Sequence, residues 1–118
     1  MMSEELQRNV MSRLCVGDIL RRVALNKPDK EAFIYSYAGE VKRHITYKEL
    51  NTEVNRFANA LKQMGVKKGD RVAMMSYNCI QYAIYILALA KIGAWITPYN
   101  YSLIGREIKD LVLHSEPV

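Results

Sequence analysis

The sequence predicts an α/β fold in which helices alternate with parallel strands, preceded by an antiparallel hairpin. Three observations carry this. From Thr46 onward the apolar pattern reads helix, strand, helix, strand, helix, and such alternation implies parallel pairing through right-handed crossovers. The run Ile80 to Ala90 is apolar nearly all round, as expected of a helix covered on more than one side of a buried sheet. Ahead of both, Glu31 to Tyr37 and Val41 to Ile45 are rich in β-formers and are joined through Ala38-Gly39, the signature of a hairpin.

Residues 1–15 are expected to form an arm or helix, polar with isolated apolar residues. Leu14, Ile19, Leu20, Val23 and Ala24 then line one helical face. That helix must end before Pro28, because the residue preceding a proline disfavours helical geometry. After the hairpin, Thr46 and Glu49 match a capping box. Leu50, Val54, Phe57, Ala58, Leu61 and Met64 follow on one face at a period near 3.6. Gly65 stands where a left-handed C-cap is wanted.

Lys67 to Asp70 reads as a turn and Arg71 to Ser76 as a short apolar strand. Asn78 can cap the helix Ile80 to Ile92, which Gly93 stops. Ala94 to Thr97 is the next strand, with Pro98 closing it. A last amphipathic helix runs from Leu103 to His114, with Ile104, Ile108, Leu111 and Val112 inward.

The chain has 118 residues, half of them hydrophobic, which suits one domain or part of a larger one. Its net charge of +5 comes from scattered cations. No recognition motif accompanies them, so a solvated basic surface is expected rather than nucleic-acid binding. Cys15 and Cys79 lie in apolar neighbourhoods and read as buried, reduced thiols of a cytoplasmic protein. The N-terminus has no apolar core and is not a signal peptide. The most apolar run is 11 residues, whereas a membrane span needs about 20, so no transmembrane segment is expected.

Chemistry is sparse. Neither a Gly-x-Gly-x-x-Gly nor a Gly-x-x-x-x-Gly-Lys-Ser/Thr motif is present. His44 and His114 have no second ligand or nucleophile at a telling spacing, and no two aspartates form an acid–base pair. Five of the eight tyrosines fall between Tyr77 and Tyr101. Tyr82 and Tyr85, at helical spacing, are read as core. Tyr77, Tyr99 and Tyr101 flank strand ends. Ligands of parallel α/β sheets bind outside the carboxyl ends of strands, so Tyr77, Asn78, Tyr99 and Asn100 are the candidate pocket-wall residues. No catalytic or metal-ligating residue is expected.

Four stretches then occur in a telling order: "ITYKEL" (Ile45 to Leu50), "GVKKGDRVAMMSYN" (Gly65 to Asn78), "LALAKIGAWITPYN" (Leu87 to Asn100) and "REIKDLVLHSEP" (Arg106 to Pro117). Together they resemble the amino-terminal part of the AMP-forming adenylating enzymes, which include acyl-CoA synthetases, firefly luciferase and peptide-synthetase adenylation domains. Asn100 after the strand-end proline resembles the acyl-CoA synthetase branch, where peptide-synthetase domains tend to carry aspartate. Gln81 and Tyr99 depart from the usual glutamate and small aliphatic residue.

The resemblance implies that residues 16–118 are the first part of a large N-terminal domain, an incomplete piece of a longer enzyme. It implies a parent reaction of carboxylic acid, ATP and coenzyme A to acyl-CoA, AMP and pyrophosphate, using Mg2+. The phosphate loop, the ribose-binding aspartate and the catalytic lysine would lie downstream. These residues alone would then be scaffold, inactive and without tight cofactor binding. The expected partners are the remainder of the enzyme and, for the isolated piece, a second copy in a homo-oligomer or domain-swapped dimer. The alternative is a stand-alone α/β binding or oligomerisation module without catalysis.

Overall fold

The computed structural model describes Glu4 and residues 15–118. The expected arm over residues 1–15, and Leu14 with it, lies outside the described residues apart from Glu4 and Cys15. The elements run α1 (Val16–Asn26), β1 (Glu31–Tyr37), β2 (Glu40–Thr46), α2 (Tyr47–Gln63), β3 (Arg71–Met75), α3 (Ile80–Ile92), β4 (Trp95–Tyr99) and α4 (Gly105–Ser115). β1 and β2 pair antiparallel, β3 and β4 pair parallel, and the two pairs are separate sheets.

Local chemistry accounts for the turns. Ala38 and Gly39 both have positive φ (53° and 80°), the two-residue hairpin turn whose twist matches the flanking strands. The Thr46 side chain accepts from the Glu49 N–H while Glu49 accepts from the Thr46 N–H. Gly93, at φ 81°, caps α3 in the left-handed conformation that costs glycine little.

The core is a three-helix stack, in which Leu50, Val54, Ala58 and Leu61 of α2 meet Ile80, Ile84, Ala88 and Leu89 of α3. Leu20 of α1 and Ile45 of β2 complete it. α1 approaches α3 closely because position 17 is glycine. A Cβ there would fall 2.7 Å from the Ala90 carbonyl oxygen and 2.8 Å from Lys91 Cα. Across the other helix pair, Lys91 Nζ donates to Asn51 Oδ1 and Asn55 Oδ1, both at 2.6 Å. An Arg43–Glu53 ion pair ties the hairpin to α2.

Several expectations need correction. β4 runs through Pro98 to Tyr99, with Pro98 opposite Met74. Trp95 N–H donates to Asp70 O at 2.7 Å, so by strand alternation Trp95, Thr97 and Tyr99 face β3 with their backbone groups. Position 98 faces away and forfeits no ladder bond. The N-cap of α3 is Cys79, not Asn78, and no side chain caps it. β3 stops at Met75, and α4 begins at Gly105.

Phe57, Met64 and Ile19 belong to apolar stripes yet are exposed, Met64 by 80%. α4 buries none of its residues; it touches β4 and leaves Ile104, Leu111 and Val112 open. The parallel strands themselves are only half-buried. Cys15 is exposed and Cys79 partly so, both free; the Cys15 thiol donates to Asp18 Oδ2 at 3.2 Å. Among the described residues no helix is long and apolar enough to cross a membrane.

Candidate functional site

The carboxyl edge of the parallel pair is built by two loops, residues 76–79 after β3 and 100–104 after β4. Met75 pairs with Tyr99 in the ladder. Tyr77 and Tyr101 each stand two residues beyond those partners, so the register brings them together. Their ring centroids lie 4.3 Å apart at 38°, a close, tilted contact just under the usual lower limit of about 4.5 Å for aromatic pairs. The pair stays open to solvent, Tyr77 by 70% and Tyr101 by 54%.

The other candidate residues take different directions. Asn100 Oδ1 accepts from the Ser102 N–H (3.0 Å) and hydroxyl (2.8 Å). This local turn, in which a side chain mimics a backbone acceptor, holds the loop that carries Tyr101. Tyr99 reaches α4. Ser115 Oγ donates to Leu111 O at 2.7 Å, which leaves the Tyr99 hydroxyl as donor to Ser115 Oγ. Asn78 lines a 310 Å3 cleft toward the hairpin with Phe33, Tyr35, Cys79 and Ile80. Of Tyr77, Asn78, Tyr99 and Asn100, only Tyr77 and Asn100 bear on one feature, the tyrosine pair, and Asn100 does so through the turn it stabilises. Tyr101 is the partner that the sequence expectation left out of its wall. Equal offsets from the strand ends were the available signal.

A second concavity lies beneath β3. A 510 Å3 groove runs between α2 and α3, lined by Phe57, Met74, Ile84 and Tyr85 with Glu53 and Arg56 at its rim. Phe57 and Tyr85 rings lie 5.6 Å apart. The Tyr85 hydroxyl donates to Ala73 O at 3.0 Å, and burial pushes its phenol pKa up. Tyr85 therefore packs against the core as expected, but together with Phe57 it also walls this groove.

Chemically, the edge offers phenols, carboxamides and hydroxyls. These can stack on a ligand and hydrogen-bond to it. Among the described residues no three His, Cys, Asp or Glu side chains gather where a metal ion could be held.

The sequence model of AMP-binding enzymes matches residues 20–118. The chain belongs to the AMP-binding enzyme family.

Within that family, the chain is 39% identical over 88 residues to a crotonobetaine/carnitine–CoA ligase of Salmonella paratyphi A. That match spans 75% of this chain and 17% of the ligase. Among solved structures it is similar to the NpsA N-terminal subdomain of Klebsiella oxytoca, at 31% identity and a TM-score of 0.78, over 87% of this chain and 26% of that one. It is likewise similar to a fatty acyl CoA synthetase of Mycobacterium tuberculosis, at 30% identity and a TM-score of 0.79, over 87% and 20% of the two chains. The chain thus spans about a sixth of the curated ligase it matches. The hairpin followed by parallel strands and helices is the fold of this family's N-terminal region.

Proposed function

We propose that residues 16–118 are the opening scaffold of an ATP-dependent, AMP-forming acyl-CoA synthetase that converts a carboxylic acid, ATP and coenzyme A to acyl-CoA, AMP and pyrophosphate. The observation that carries this reading is the 39% identity to a CoA ligase. Asn100 supports the same branch over the peptide-synthetase one. Fatty acids are the proposed acid class, in keeping with the likeness to a fatty acyl CoA synthetase, and the cytoplasm the proposed location.

The described residues of this chain do not fit an ATP–Mg2+ site by themselves. Stabilising charge at phosphates needs converging backbone amides and a cation. Gly39, Gly65, Gly69 and Gly93 all have positive φ and serve turns and caps instead. The catalytic groups would then lie in the rest of the enzyme, which is also the chain's principal partner. Tyr77, with Tyr101 packed against it and Asn100 holding that loop, would form wall on the acyl or pantetheine side, with Asn78 contributing from the hairpin cleft and Tyr99 from its bond to α4.

Two assays test this. A chimera in which residues 20–118 replace the equivalent region of the Salmonella ligase should retain acyl-CoA formation, and a folded chimera without it would overturn the scaffold role. A polypeptide of these 118 residues alone should give no ATP–pyrophosphate exchange with any carboxylic acid. Exchange by that polypeptide would refute the placement of the catalytic groups elsewhere. In sedimentation the same polypeptide should self-associate at high concentration through its open apolar faces. A stable monomer with a ligand of its own would favour the alternative, a stand-alone binding module.

A further inference from the structure

Where α2 and α3 part at the surface, a 380 Å3 cleft opens between Asn55, Asn59 and Lys62 of α2 and Lys91 and Ile92 of α3, with the buried Ala58 between them. Positions 55, 59 and 62 are four and three residues apart, so one face of α2 presents all three. The Lys91 ammonium donates to Asn51 Oδ1 and Asn55 Oδ1. Lysine carries donors only, so both carboxamides must turn their oxygens to it. Asn55 is thereby left with its NH2 group for the cleft, and Lys91 with a third N–H.

Competing acceptors are few. No carboxylate lines the cleft, and among the described residues none pairs with Lys62 or Lys91. At the end of α3 the Leu89 and Ala90 carbonyls are already used by the Gly93 and Ala94 N–H groups. Burial, followed by the Arg21 charge, disfavours the Lys91 ammonium, and Asp18 offsets this only in part.

We propose that this cleft binds a phosphate group, free or as a monoester, gripped by the Lys62 and Lys91 ammoniums and the Asn55 amide with Asn59 beside them. Donors arriving from two helices suit a tetrahedral oxyanion, and bonds from ammonium to phosphate are the charge-assisted, stronger kind. With no carboxylate to hold Mg2+, the cleft suits a lone phosphate group and not a nucleotide–metal complex. The bound anion supplies Lys91 with a counter-charge and fastens α2 to α3. The site stands apart from the proposed reaction and depends on neither the family nor the acid used.

The probes are inorganic phosphate and glycerol phosphate, titrated into the 118-residue chain at constant ionic strength. NMR follows the Asn55 side-chain NH2 and the Lys91 Cε signals. Both signals should shift and saturate at millimolar probe, and the tighter probe tells a free phosphate from an ester. Lys62→Gln should weaken binding about tenfold. Lys48→Gln, an equal loss of charge at a different cleft of α2, should leave binding unchanged. Asn55→Asp keeps an acceptor for Lys91 but puts a carboxylate oxygen where the free NH2 stood, and should abolish binding. Failure of both probes to saturate, binding retained in Asn55→Asp, or equal weakening by Lys62→Gln and Lys48→Gln overturns the proposal.

Discussion

Lys91 Nζ donates to Asn51 Oδ1 at 2.6 Å, joining the last turn of α3 to the first half of α2. Asn55 accepts a second bond from the same ammonium. Burial holds the Lys91 pKa below the ordinary lysine value, with the Arg21 charge adding to the effect and Asp18 opposing it. The unfolded chain therefore binds this proton more tightly than the folded one. Stability should rise as pH climbs from the lowered folded value toward the ordinary one near 10.5. Lys91→Met should lose that rise and, near neutral pH, cost about 1–2 kcal/mol through two lost hydrogen bonds. Urea unfolding of both proteins across that range, followed by circular dichroism, checks slope and offset.

Gly17→Ala should destabilise by about 1–3 kcal/mol, because its methyl would strike backbone that cannot swing away. Gly105→Ala is the matched control. A Cβ there meets nothing within 4 Å, and its effect should stay within about 0.5 kcal/mol. Equal losses at the two positions in thermal unfolding would show that α1 does not press on α3.

Leu50→Ala removes a side chain that is fully enclosed between the helices and β2. It should cost about 2–5 kcal/mol. Met64→Ala, on the same sequence stripe, should fall within about 0.5 kcal/mol. The denaturation midpoints of the two variants separate burial from mere periodicity.

The Thr46 backbone N–H, followed by its hydroxyl, holds the Glu49 carboxyl below the usual glutamate value, with a smaller pull from Arg43 and a small opposing push from burial. The stabilisation is present above the ordinary carboxylate range and is lost as pH falls through the lowered folded value. Thr46→Ala removes the hydroxyl contribution, so the Glu49 titration followed by NMR should move upward. Loss of the cap should itself cost about 1 kcal/mol. An unmoved titration would mean that the hydroxyl does not stabilise the carboxylate.

Features set by neighbours in the chain were legible in the sequence. The Thr46–Glu49 box, the Ala38-Gly39 turn and the Gly93 cap each depend on a few adjacent residues, and all three formed. Parallel pairing of β3 with β4 was also legible, because a helix between two strands leaves little other choice. Features that depend on reach were not. Periodicity identifies the apolar side of α2 but not how far α3 extends over it, so Phe57 and Met64 were assigned to a core that stops short of them. The same holds for α4. Cys15 and Cys79 have apolar neighbours in sequence, which says nothing of their neighbours in space. At the candidate site, strand ends were found but not their register, and register pairs Tyr77 with Tyr101 rather than with Tyr99.

Pro98 gives the parallel sheet a finished side and an open one. Its ring stands where β4 would offer an amide outward, so any strand arriving there meets a missing donor and a bulky obstacle. Across the sheet, β3 still presents the outward N–H groups of Ala73 and Met75. The two margins of this sheet are therefore chemically unequal, and a single imino acid makes the difference.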